Sequence, residues 1–168
     1  LHGVDRRQLQ DVYKRQALGS GRAYLGTDDG RLVIVDTSTN RPRSLAEYVL
    51  ADGARILDLA VDAAVVHAVV EGVGLISVNA AVPTLVQELS RLDLPLATRV
   101  TASSDYLYVV ERGPDGDAVR VVSVATPDAP QIVSVHRGTA RAVASAGSEL
   151  LVAADREGMY SLDMTDPT

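Results

Sequence analysis

One phrase recurs four times along the sequence: a short apolar run that ends in a turn containing proline. It is clearest in residues 119–130 (VRVVSVATPDAP), and weaker copies occupy residues 32–42, 75–83 and 159–167. The residues that follow the apolar runs lie 41, 46 and 40 positions apart, and they are Asp36, Ser77, Ser123 and Asp163. A period of this length, built from short strands, is typical of repeat proteins in which each repeat forms one supersecondary unit.

Each repeat contains short apolar runs separated by turn residues. The second repeat shows this most clearly, with strands predicted over residues 55–61, 65–70, 74–78 and 84–89. Apolar runs of this length, broken by Gly, Asp, Pro and Ser, are typical of antiparallel hairpins. The pattern therefore predicts an all-β chain of antiparallel four-stranded meander blades, the repeating sheet of a β-propeller.

The predicted blades cover residues 17–50, 54–91, 97–137 and 140–168, and the last of them is incomplete. Propellers typically close with about four to eight blades. We therefore expect a partial, open β-propeller that is part of a longer chain. The remaining blades of that chain are expected to pack against it as a partner. A β-sandwich with irregular hairpins is the alternative, although a sandwich does not require proline turns at equivalent places.

The composition limits the classes of partner. Hydrophobic residues make up 46% of the 168 residues, but Phe, Trp and Cys are absent, so the core must consist mainly of Val, Leu, Ile and Ala. The net charge of −6 argues against nucleic acid, whose phosphates need a basic surface. No apolar run approaches the roughly 18 residues of a membrane-spanning helix, so membrane insertion is not expected. The lack of Cys excludes disulfides and thiolate metal sites without fixing the compartment.

Residues 1–16 differ in composition from the rest. They contain the only lysine, Lys14, and three of the five glutamines, and their net charge is +2. This segment resembles translated adapter or linker sequence, so we expect a disordered, non-native leader that does not belong to the fold. A short basic helix is the alternative, and a membrane-targeting segment is disfavoured because no wide apolar face exists.

The repeats resemble the LVIVP-repeat family of β-propellers. The phrases that carry this resemblance are SDYLYVVERG (104–113), VVSVATPDAP (121–130), SLDMTDP (161–167) and RLVIVDTSTNRP (31–42). The resemblance implies a bacterial or archaeal protein that is extracellular or on the cell surface, and it implies no defined reaction. The chain departs from the family pattern at NAAVP in the second repeat and at a lengthened hairpin loop, residues 113–117, in the third.

No catalytic, cofactor or metal motif is present in the sequence. The three histidines have no metal-ligand spacing, and His67, in the middle of a strand, is best explained as a structural residue. We therefore expect no catalytic residue, cofactor or metal, and a non-catalytic binding or scaffold module that presents loops to a protein or glycan. The alternative is the scaffold of a propeller enzyme, such as a hydrolase, lyase or quinone-dependent dehydrogenase, whose catalytic residues lie outside this chain.

The best candidate for a binding surface is a set of carboxylates that we name the acidic rim. The turn between the second and third strands of a meander always emerges at the same end, and each predicted turn of this kind carries a carboxylate. The acidic rim consists of Asp28, Asp29, Glu71, Asp115, Asp117, Asp155 and Glu157. We expect these side chains to be exposed and to attract cations or a basic partner. A structural explanation also remains open, because hairpin turns favour Asp and Gly in any case.

Overall fold

The computed structural model describes residues 16–19 and 21–165. These residues form four separate antiparallel sheets and no α-helix. The first sheet contains β1 (Gln16–Gly19), β2 (Arg22–Gly26), β3 (Arg31–Asp36) and β4 (Arg43–Val49). The second contains β5 (Ile56–Asp62), β6 (Val65–Val70), β7 (Gly74–Asn79) and β8 (Gln87–Asp93).

The third and fourth sheets continue the same plan. The third contains β9 (Ala97–Ser103), β10 (Tyr106–Gly113), β11 (Gly116–Ser123) and β12 (Gln131–Arg137). The described part of the fourth contains β13 (Ala142–Ala146), β14 (Glu149–Ala153) and β15 (Met159–Asp163), with a 3₁₀ turn (Asp155–Glu157) between the last two. Strands follow one another in sequence order across every sheet, so each sheet is a meander.

Consecutive sheets pack face to face through their first strands. β1 contacts β5, β5 contacts β9, and β9 contacts β13. An apolar cluster lies at each of the three boundaries, and the residues are mostly Val, Leu, Ile and Ala, as the composition requires. The predicted all-β chain of successive antiparallel meanders is confirmed. The sandwich alternative is wrong, because the described strands form four separate sheets and not the two of a sandwich.

The structure corrects the alignment of the repeats at one position. The last residue of each third strand pairs with the first residue of the second strand, and the four equivalent residues are Asp36, Asn79, Ser123 and Asp163. Choosing Ser77 for the second repeat was therefore wrong by two residues, and the true spacings are 43, 44 and 40. Before this position in the first three sheets, the third strand pairs with the fourth through a register shift.

The equivalent position favours Asp and Asn for a local reason. The side-chain oxygens of Asp36, Asn79 and Asp163 each accept a hydrogen bond, 2.9 Å long, from the backbone N–H two residues later. This Asx turn ends the strand and turns the chain away from the sheet. It also keeps the pKa of Asp36 and Asp163 below the ordinary value, because hydrogen bonds from Ser38 and Thr165 favour the ionised carboxylate.

Predicted and observed strand bounds differ by one residue at several places, and three predicted features need correction. The outer strand of the second sheet was predicted over residues 84–89 but begins later, at Gln87, because a turn closed by the Leu85 N–H and the Val82 carbonyl comes first. Residues 113–117 were predicted to form a lengthened loop. Instead, β10 and β11 are lengthened and pair as far as Gly113 and Gly116, leaving a two-residue turn. Gln16 belongs to β1 and not to the predicted leader, whose other fifteen residues lie outside the described part of the chain.

Candidate functional site

The hairpins between the second and third strands carry the acidic rim. Most of its residues lie in the turns themselves, whereas Asp117 is the second residue of β11. Six of the seven residues are exposed, as expected. The expectation is wrong for Asp117, whose side chain is only 14% exposed. The reason is that its carboxylate faces the fourth sheet and accepts hydrogen bonds from the Ala140 N–H and from Arg141.

Two arginines connect carboxylates of neighbouring sheets. Arg55 Nε lies 3.4 Å from Asp28 Oδ1 in the first sheet and 3.8 Å from Glu71 Oε2 in the second. Arg141 lies 3.2 Å from Asp117 of the third sheet and 3.4 Å from Asp155 of the fourth. The acidic rim is thus brought together in two pairs of sheets, and these two arginines form ion pairs with four of its seven carboxylates.

The remaining rim carboxylates have different surroundings. Asp29 accepts hydrogen bonds from Thr27 Oγ1 and Arg31, and the bond from Thr27 is the main reason why the pKa of this carboxyl is lowered. The side chains of Asp115 and Glu157 make no hydrogen bond or ion pair to any described residue. These two exposed carboxylates are the members of the rim that can accept a partner without first losing an internal one.

Among the described residues, no arginine joins carboxylates of the second and third sheets in this way. Arg55 and Arg141 each precede the first strand of their sheet, and the equivalent residue before β9 is Leu96. Leu96 is half exposed, and its side chain lies beside Gly113, where an added Cβ would come within 2.8 Å of it. An apolar residue therefore occupies the position that an ion-pairing residue occupies at the other two boundaries.

A groove of about 240 Å³ opens beside Leu96 on the face of the third sheet that is turned toward the second. It exists because β10 and β11 have eight residues each, whereas β6 and β7 have six, so the third sheet extends past its neighbour. Gly116, with φ of +109°, permits the tight turn that ends this extension. The lining of the groove includes Leu96, Glu111, Pro114, Asp115, Arg120, Val135 and Arg137.

Charged residues on one sheet face form the floor of this groove. Glu111 is only 8% exposed and accepts a short charge-assisted hydrogen bond from Arg120 Nε. Arg120 is 31% exposed, so part of its guanidinium faces the groove. Arg137 is exposed, and its side chain makes no hydrogen bond or ion pair to a described residue. This site is not apparent from the sequence, because its residues come from three strands and residues 113–117 have the composition of a loop.

A second polar cluster lies inside the molecule, on the face of the second sheet that packs against the third. His67 is 1% exposed, and its Nδ1 lies 2.8 Å from Ser77 Oγ on the neighbouring strand. Burial lowers the pKa of His67 to about 4, so the imidazole is neutral at physiological pH. The predicted structural role fits this position. Within residues 16–19 and 21–165, no group of three or more His, Asp or Glu side chains is placed to hold a metal ion.

No family model matches the sequence, and no curated protein matches it significantly. Several solved structures match its fold. The computationally designed proteins Ika8 and Ika4 each match 90% of this chain at 14% identity with a TM-score of 0.67, over 45% of Ika8 and 91% of Ika4. Saccharomyces cerevisiae Sqt1 matches 95% of this chain at 13% identity, with a TM-score of 0.69, over 48% of its own length.

The chain therefore spans about half the length of Ika8 and of Sqt1. At these identities the likeness concerns the fold alone. The described residues contain no helix long and apolar enough to cross a membrane.

Proposed function

We propose that the four meanders are blades of a partial β-propeller and that the chain serves as a non-catalytic binding or scaffold module. The successive packing of first strands supports this, since a propeller places the first strand of every blade nearest its axis. The resemblance of the sequence to LVIVP repeats adds the proposal that the protein is a bacterial or archaeal one that works outside the cell or on its surface.

We further propose that additional blades of a longer chain cover the two outermost sheet faces. Leu18 in the first sheet is 72% exposed, and Met159 in the fourth is 69% exposed. Large apolar side chains on the flat face of a sheet favour contact with another sheet. Further blades would bury Leu18 and Met159, as the three boundaries between the described sheets bury their apolar clusters.

The observation that carries the binding function is the placement of Asp115 and Glu157. Both are exposed in equivalent hairpins, and neither side chain has an internal partner among the described residues. Carboxylates of this kind attract a complementary positive surface and accelerate its association. The partner is therefore a protein with a basic surface; a glycan carrying no positive charge would not use these two residues.

A pull-down from the native source tests this proposal with two double variants. Asp115→Asn with Glu157→Gln removes the two unpaired rim charges. Asp105→Asn with Asp128→Asn removes the same charge from exposed turns at the opposite end of the third sheet. We expect a protein captured by the wild type to be lost with the first variant and kept with the second. Equal capture by all three forms would contradict the proposal.

A further inference from the structure

We infer that the groove on the third sheet binds a carboxylate group, carried on a short aliphatic stem by a partner polypeptide. The origin of the groove supports a binding role. In repeat proteins, insertions in a single repeat collect on one face, which is often the binding face. The lengthened β10–β11 hairpin is such an insertion, and it creates a cavity that the second sheet does not cover.

The unused hydrogen-bond donors of two arginines favour a ligand that accepts hydrogen bonds. An arginine has five N–H donors, and only the Nε–H of Arg120 is used by Glu111. Arg137 offers all of its donors, since it has no partner among the described residues. The strand register places Arg120 opposite Val135 and Arg137 opposite Ala118, so the two guanidinium groups are diagonal neighbours on one face.

The charged groups on the floor of the groove favour an anion over a cation as the ligand. The Glu111 carboxylate is nearly buried and already engaged, so it cannot receive a positive group without losing Arg120. The free hydrogen-bonding capacity of the floor therefore consists of donors, and the free carboxylate of the lining, Asp115, lies beyond the floor in the turn between β10 and β11. Two guanidinium groups side by side match the planar oxygens of a carboxylate, which arginine binds in a bidentate manner.

The size and the apolar wall of the groove restrict the molecule that can carry the carboxylate. Leu96, Pro114 and Val135 supply apolar surface beside the arginines. The volume of about 240 Å³ lies below the roughly 300 Å³ at which pockets for drug-sized ligands begin. An acidic side chain or a chain terminus of a polypeptide fits these dimensions, whereas a nucleotide cofactor does not.

This inference is tested by titrating the full chain with small carboxylates. Binding is monitored by NMR through the backbone amide and arginine Nε–H signals. Two carboxylate probes separate the sources: N-acetyl-leucine represents a chain terminus, and the α-amide of N-acetyl-glutamate represents an acidic side chain. N-acetyl-leucinamide is the neutral control. We expect saturable shifts at Gly113, Gly116, Arg120 and Arg137 with at least one carboxylate, and binding at least about tenfold weaker with the control.

Arg137→Gln should weaken carboxylate binding about tenfold. This residue lies exposed on the outermost strand of its sheet, so the variant is expected to fold. Arg112→Gln is the matched control, since Arg112 is exposed in the same hairpin but next to Glu111 in sequence and hence on the opposite face. Equal binding of the neutral probe, absence of shifts in the groove, or equal weakening by Arg112→Gln would overturn the inference.

This test is separable from that of the proposed function, although the two share Asp115, which lines the groove, and the premise that this end of the molecule binds a partner. The titration needs no natural partner, and it uses a chain in which the rim residues Asp115 and Glu157 are intact. If no carboxylate binds but the pull-down depends on Asp115 and Glu157, the groove inference alone is contradicted. If a carboxylate binds in the groove but the pull-down does not depend on these residues, the proposed function alone is contradicted.

Discussion

The first and second sheets are joined by different means from the second and third. At the first boundary, long arginines reach across the periphery. Arg22 donates to the carbonyls of Ala80 and Ala81 at 3.1 and 3.0 Å, and Arg91 donates to the Leu50 carbonyl at 2.9 Å. Arg55 adds its two ion pairs near the rim.

At the second boundary, short polar side chains make the connections. Asp58 accepts a hydrogen bond of 3.0 Å from the Val100 N–H, and Ser90 Oγ donates to the Pro127 carbonyl at 2.8 Å. The buried pair of His67 and Ser77 lies on the same face of the second sheet. Exposed arginine pairs contribute little each, whereas a buried polar group costs more when its partner is lost. The second boundary should therefore be more sensitive to pH and to small substitutions.

The largest expected effect is the response of the second boundary to acid. The pKa of His67 is about 4 in the folded chain and 6.5 ordinarily, so the unfolded chain binds the proton first. Stability is then fully present above pH 6.5 and falls as the pH drops from 6.5 to about 4, by roughly 3 kcal/mol in total. Urea unfolding at pH 7, 5.5 and 4 measures this loss.

A double variant isolates the contribution of His67 from that of the carboxylates. His67→Leu with Ser77→Ala replaces both buried polar partners, so no unpaired group remains. Its stability should fall by about 3 kcal/mol less than that of the wild type over the same pH range. His136→Asn serves as the control and should keep the full pH dependence; an unchanged slope in the double variant would show that His67 is not responsible.

An intermediate effect is expected from the hydrogen bond between Ser90 and Pro127. Ser90→Ala should lower the free energy of unfolding by about 1 kcal/mol, because the Pro127 carbonyl loses its donor. Ser148 lies exposed in the turn between β13 and β14, and its hydroxyl makes no hydrogen bond to a described residue. Ser148→Ala should therefore cost clearly less, and equal losses in thermal melts of the two variants would remove the distinction.

The smallest effect is expected at the first boundary. Arg55→Gln should change the free energy of unfolding by no more than about 0.5 kcal/mol, because its ion pairs are exposed and longer than a hydrogen bond. The change should shrink further at 0.5 M salt, as screening requires. A loss above about 1.5 kcal/mol in chemical denaturation would mean that the arginines at this boundary are not merely peripheral.

The sequence predicted the features that depend on local pattern. Alternating apolar residues and Asp, Gly or Pro turns were enough for the four meanders. The position of β8 was missed because the apolar residues around Leu85 resemble a strand, although they belong to a turn. Ser77 was misaligned because it interrupts an apolar run as the true turn residues do, yet it serves the buried histidine.

The candidate site was less accessible to prediction. The groove depends on how far one sheet extends past another, and its lining comes from three strands and the residue before β9. The loss of exposure at Asp117 depends on Arg141, which belongs to the next repeat. Contacts of this kind join positions that no single repeat contains, so the pattern within a repeat does not reveal them.

The sequential order of strands within each sheet has a consequence for how the protein is made. Every described strand pairs only with its neighbour in the chain, so the loops that folding must close within a sheet are short. Low contact order favours rapid folding, and during synthesis the earlier part of a chain folds first. The nascent chain can therefore complete one meander while the next is still inside the ribosome, and each finished sheet becomes the surface on which its successor condenses.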